Sequence, residues 1–153
     1  MFRSLLTRLF SDRPDPVPLR GEDAELAIAA LMIRVARADD HYRSAERDQI
    51  DKVIARRRGL GPAEARERRE TAEMIEAEAP DTVRFTRSIK DRIALDERLS
   101  VIAALWEIVY ADGRRSPDEE TMVRLVAGLL GVPDRDSALA RQRVLDGMTP
   151  DRE

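Results

Sequence analysis

The chain has no cysteine, one histidine and six aromatic residues among its 153 positions. Without cysteine there is no disulfide, no thiolate metal site and no cysteine nucleophile. With His41 as the sole histidine, an intrachain site that needs two histidines is excluded, the paired helical histidines of zinc proteases included. Six aromatics are too few for a base-stacking platform on single-stranded nucleic acid. No apolar run approaches the ~20 residues that span a bilayer. The net charge is −3 despite 27 basic residues, so no overall field draws the chain to nucleic acid. Only Lys52 and Lys90 are lysines; the other basic side chains are arginines.

What remains is helix-forming. Ala, Leu, Arg and Glu dominate, and β-branched and aromatic residues are scarce. The opening MFRSLLTRLF puts Phe2, Leu5, Leu6, Leu9 and Phe10 on a short amphipathic helix broken by Arg3 and Arg8. It has neither the continuous apolar stretch nor the cleavage site of a secretory signal, so the expected compartment is the cytoplasm. Such a short helix is expected to dock on the domain's own core, with at most weak membrane-surface contact through residues 1–10. Pro14, Pro16 and Pro18 then make an extended linker to residue 20.

Residues 21–147 read as one helical domain, followed by a tail over 148–153. The first helix runs from Gly21 to Ala38 and turns Leu26, Ala29, Ala30, Ile33, Ala36 and Arg37 to one face. A second covers Ser44 to Arg57. Gly59-Leu60-Gly61 stops it, and Pro62 opens a highly charged third helix to Glu78. A fourth spans Thr82 to Ile93. A fifth, from Asp96 to Ala111, is the most apolar and is expected at the centre. A sixth follows Ser116, and a seventh runs from Pro133-Asp134 to about Leu145. No segment reads as a strand. The expectation is an all-α compact bundle of about seven helices.

A shift of 73 residues superposes the halves of this domain. Leu26, Ala30, Ala38, Asp39, Glu46 and Val53 fall on Leu99, Ala103, Ala111, Asp112, Glu119 and Val126. About two identities are expected by chance over this stretch at ordinary residue frequencies. The match predicts two halves related by a pseudo-two-fold axis. Its polar members are the informative ones. Asp39 and Asp112 each end a helix, where a carboxylate opposes the dipole. Glu46 and Glu119 follow early in the next helix. If the halves pack about their axis, these four carboxylates form one acidic zone, and hard cations such as Ca²⁺, Mg²⁺ or Mn²⁺ favour oxygen ligands of this kind.

Purely structural roles compete with that chemistry. Ser116-Pro117-Asp118-Glu119 is a good capping box, with Glu119 reaching back to the cap amide. Arg37, Arg43 and Arg47 stand ready to neutralise the first acidic group. Arg43 is a poor helix cap, and Ser44 is the alternative. Neither half fits the EF-hand loop. His41 reads as an exposed loop residue. The arginines at 56–58, 66, 68 and 69 are interleaved with Glu64, Glu67 and Glu70 and read as a solvated, salt-bridged face. No serine stands in a nucleophile-elbow context, and no phosphate-binding glycine loop occurs.

Ala111-Asp112-Gly113 with Glu119, Val123 and Val126, and the weaker Ala38-Asp39-Asp40 with Glu46 and Ile50, resemble the tellurite-resistance TerB family over roughly residues 22–145. The resemblance implies an all-helical fold of two related halves with acidic surface clusters and a tie to tellurite resistance and stress responses. The residues it carries over are Asp39, Glu46, Asp112 and Glu119. Asp40 replaces the usual glycine of the first half, which calls that loop's geometry into question. The reading is a non-enzymatic module that binds a divalent cation or a partner protein through its acidic loops, with no nucleic acid involved. The alternative is a metal-independent interaction or membrane-peripheral adaptor; an enzyme working through paired carboxylates stands last. Deleting residues 1–18 separates the roles of the first helix. A lowered melting temperature marks core packing, and unchanged stability with lost partner or membrane recovery marks docking.

Overall fold

The computed structural model describes residues 5, 21–79, 81–113 and 116–148. They form seven helices: α1 Gly21–Ala36, α2 Ser44–Arg58, α3 Pro62–Glu78, α4 Thr82–Lys90, α5 Leu95–Val109, α6 Pro117–Leu129 and α7 Asp134–Met148. No strand occurs among the described residues. The architecture is the expected all-α bundle.

Local chemistry sets the helix ends. The Asp81 carboxylate accepts the Arg84 amide and caps α4. Ser116 caps α6 through the Glu119 amide, and Pro117 takes the first helical position. α2 and α6 end alike. Gly59 and Gly131 both turn left-handed, at φ 65° and 71°. The next residue then donates back into the helix, Leu60 to the Ala55 carbonyl and Val132 to that of Ala127. α1 and α5 both stop short of their predicted ends. Their last residues, Arg37–Ala38 and Tyr110–Ala111, form turns that lead into the acidic loops.

α1 is the central helix. It packs against α2, α3, α4, α5 and α6 and is buried almost all round, from Ala24 to Ala36. The expectation had placed α5 there. α5 is just as apolar, but Leu95 and Leu99 on its first two turns remain exposed, Leu99 at 37%. The difference is coverage. α4 lies across α1 with Phe85, Thr86 and Ile89 fully buried, whereas no helix among the described residues covers that end of α5 in the same way. Arg37 also departs from expectation. It is exposed, stacks on the Tyr42 ring at 5.0 Å and pairs with Glu76.

Two polar ties connect the layers. Arg34 on α1 bonds the Glu76 carboxylate of α3 at 2.7 Å, donates to Thr82 at the start of α4 and lies over the Phe85 ring. In the second half Trp106 donates to Ser137 of α7, and the Tyr110 hydroxyl donates to Glu120 of α6 at 2.6 Å while accepting from Arg141 of α7. These bonds join buried polar groups on different helices, which fixes helix register as well as packing.

Leu5 is helical and buried with the core. The rest of segment 1–20 lies outside the described residues, as does 149–153. Replacing Phe85 by alanine removes the anchor of α4 and its stack with Arg34. We expect a loss of about 3–5 kcal/mol, read from urea unfolding monitored by circular dichroism.

Candidate acidic site at the junction of the two halves

The four carboxylates named from the sequence meet at one place, and Arg43 is at its centre. Its guanidinium bonds Asp39 at 3.0 Å and stands 3.7 Å from Asp112, 3.7 Å from Glu119 and 3.8 Å from Glu46. Asp39 and Asp112 arrive from the turns that end α1 and α5. Glu46 and Glu119 arrive from the first turns of α2 and α6. One cation thereby holds groups from both halves.

Each acid has a distinct environment. Asp39 accepts from the His41 amide, from Arg43 and from the Ser116 hydroxyl, the last contact crossing between the halves at 3.1 Å. Burial by itself would raise the Asp39 carboxyl, but these donors together hold it below the ordinary carboxylate value. Glu46 is 1% exposed and accepts the Arg43 amide through Oε1, one half of a capping box. Arg43, not Ser44, occupies the cap position. Glu119 is equally buried but does not complete the predicted box with Ser116: Oε2 faces Arg43 and Oε1 has no hydrogen-bond partner. The second oxygen of Glu46, Oε2, is also unpartnered.

Burial first, then the neighbouring Glu46 and Asp39 carboxylates, push the Glu119 carboxyl up to about 10. At neutral pH Glu119 therefore keeps its proton. The junction carries one cation, one shared proton and three carboxylates that remain to be balanced. Among the described residues, no three acidic or histidine side chains already surround a common point as a finished metal site would. The Arg43 guanidinium holds that position.

Two loop expectations resolve here. Asp40 adopts φ 62°, matching Gly113 at φ 74°, so the first loop keeps the glycine-type turn with a residue that enters this region at a cost. His41 is exposed, with Nδ1 bonded to the Asp39 carbonyl. Of the three arginines expected to neutralise the acidic group, only Arg43 does so. Arg37 and Arg47 instead sandwich the Tyr42 ring. The basic stretch is salt-bridged, but largely by partners from other helices than its own interleaved glutamates. Arg56 binds Glu107, Arg57 binds Glu25 and Glu97, Arg68 binds Glu22, and Arg69 binds Asp51 as well as Glu73.

The fold and this junction define a class: a helical module whose acidic inter-helix loops are its marked feature. The family model for Tellurite resistance protein TerB matches residues 25–142. The chain belongs to the TerB family. No curated protein and no solved structure matches it.

The shared proton makes stability depend on pH. Between pH 4.5, where an ordinary glutamate ionises, and about 10, the folded chain keeps a proton on Glu119 that the unfolded chain has lost. Stability from this group is therefore full below pH 4.5 and falls as pH rises. Asp39 works in the opposite direction, its contribution being lost in acid. Glu119→Gln, which mimics the protonated form, is expected to flatten the alkaline decline and raise the melting temperature at pH 8 by about 3–6 °C. A steeper decline in the variant would refute the assignment.

Proposed function

We propose that this chain is a non-enzymatic TerB module whose acidic junction binds a divalent cation, Ca²⁺, Mg²⁺ or Mn²⁺. The observation that carries this reading is the pair of buried, unpartnered oxygens, Glu46 Oε2 and Glu119 Oε1, inside a cluster of four carboxylates. A buried acceptor without a donor is costly. A hard cation satisfies it directly, and an all-oxygen donor set suits such ions. Asp39, Glu46, Asp112 and Glu119 are the residues that would hold it. Arg43 is the resident counter-charge, and its side chain is 35% exposed.

The same burial argues against catalysis by the two glutamates, since each is 1% exposed and out of reach of a substrate group larger than an ion. No described helix is long and apolar enough to cross a membrane. A cytoplasmic setting and a part in tellurite or stress responses, with a protein partner reading the loaded state, complete the proposal. The alternative, a metal-independent interaction module, draws on the exposed groove described below.

Binding releases the Glu119 proton, so affinity is expected to rise with pH, by up to tenfold per unit for one proton released. Thermal unfolding of metal-stripped chain with each ion tests the proposal. We expect a saturable, ion-selective rise in midpoint, larger at pH 8 than at pH 6, that Asp39→Asn/Asp112→Asn abolishes. No rise with any ion, in a chain that is folded at both pH values, would reject cation binding.

A further inference from the structure

We infer that the groove between α2, α5 and α7 is a docking site for a short amphipathic helix of a partner protein, one that carries bulky apolar side chains four residues apart. The groove encloses about 880 Å³. Its floor is the α5 face bearing Leu99, Ala103, Glu107 and Ala111, and its far wall includes Leu139, Val144 and Met148 of α7. Leu99, Leu139 and Met148 are large apolar side chains left 37–46% exposed. Apolar exposure gathered in one concave place marks an interaction site, whereas scattered apolar residues do not.

The chemistry of the occupant is written elsewhere in the molecule. The 73-residue match sets α1 on α5 and α2 on α6. Pro62, which opens α3, answers to Pro133 before α7. In the first half the groove among α1, α3 and α6 is filled. α4 packs on α1 and α6, and Arg34 ties its Thr82 to Glu76 of α3. Phe85 and Ile89, four residues apart, go fully into that groove. Carrying the matched helices across places the open groove of α5, α7 and α2 where α4 lies in the first half. None of the seven described helices occupies it. Position by position, Leu26 and Ala30 are buried, while Leu99 is exposed and Ala103 only partly buried.

Size and charge narrow the partner further. The lining face of α5 from Leu99 to Ala111 is about 18 Å long at 1.5 Å per residue, the length of a three-turn helix. Small side chains along the floor let a helix backbone approach closely. On the α7 wall Asp136 and Arg143 are both without an ion pair among the described residues, about 10 Å apart along the helix. They ask for one basic and one acidic side chain seven residues apart on the incoming helix. Arg56 is already tied to Glu107.

The segment 81–91 of this chain, which carries Phe85 and Ile89 and has Arg84 and Asp91 seven apart, serves as the probe. A fluorescein-labelled, helix-stapled peptide of that sequence would be titrated into the full chain and its site mapped by amide chemical shifts. We expect saturable binding with shifts at Leu99, Ala103, Leu139 and Val144. Ala103→Trp, which fills the floor, and Leu139→Glu, on the exposed wall, should each weaken it at least tenfold while leaving the circular dichroism spectrum unchanged. Absence of saturation up to millimolar peptide would overturn the inference. So would shifts centred on α1 and α6, which would mean exchange with the chain's own α4. Dimerisation of the unliganded chain, abolished by Ala103→Trp, would give the groove to a second copy and overturn it as well.

Discussion

Arg43 is the constraint on which the rest of the structure turns. Four carboxylates from two halves of the chain cannot share a buried junction without positive charge, because desolvation and mutual repulsion both oppose their ionised forms. One guanidinium within 3.0–3.8 Å of all four supplies it. Because Asp39 and Asp112 end α1 and α5 while Glu46 and Glu119 begin α2 and α6, this single contact sets where four helix termini stand. A proton on Glu119 removes one of the negative charges that Arg43 leaves unbalanced. The two devices differ in kind: the arginine stays charged at any ordinary pH, and the proton is lost as pH rises.

The bundle is organised around α1, and its two flanks are finished differently. Over α1, α4 contributes Phe85, Thr86 and Ile89 and is pinned by Arg34 to α3. Over α5, Trp106 and Tyr110 are locked to α6 and α7 by Ser137, Glu120 and Arg141. Among the described residues no helix gives the first turns of α5 an equivalent cover, and Leu95 and Leu99 there are exposed.

Much of this was legible in the sequence, because helix ends are local. Gly59 and Gly131 needed only their own backbone freedom, and Ser116-Pro117 needed only the first turn of α6. The pairing of Asp39 with Asp112 and of Glu46 with Glu119 was legible too, since a repeat places matched residues at matched ends. The role of Arg43 was half legible: it was named as one of three neighbouring arginines and as a poor cap. A side chain that serves both halves leaves no periodic signal: Arg43 and Ser116 are matched positions of different chemistry, and both donate to Asp39. Glu119 looked like a capping residue because Ser-Pro-Asp-Glu is sufficient for one. Only the packing of the other half against it turned that carboxyl inward and left Oε1 without a donor.

Periodicity, capping residues and glycine breaks by themselves determined the all-α class and the number and order of the helices. These depend on interactions within a few residues, which a linear sequence displays directly. Tertiary structure alone decided which helix is central, that the acidic loops converge, which arginine neutralises them, and which of two like flanks stays open. α1 and α5 are equally apolar along the chain, and burial depends on what lies across them. The charge on Glu119 likewise depends on neighbours 73 and 80 residues away, Glu46 and Asp39, which reach it only after the bundle closes.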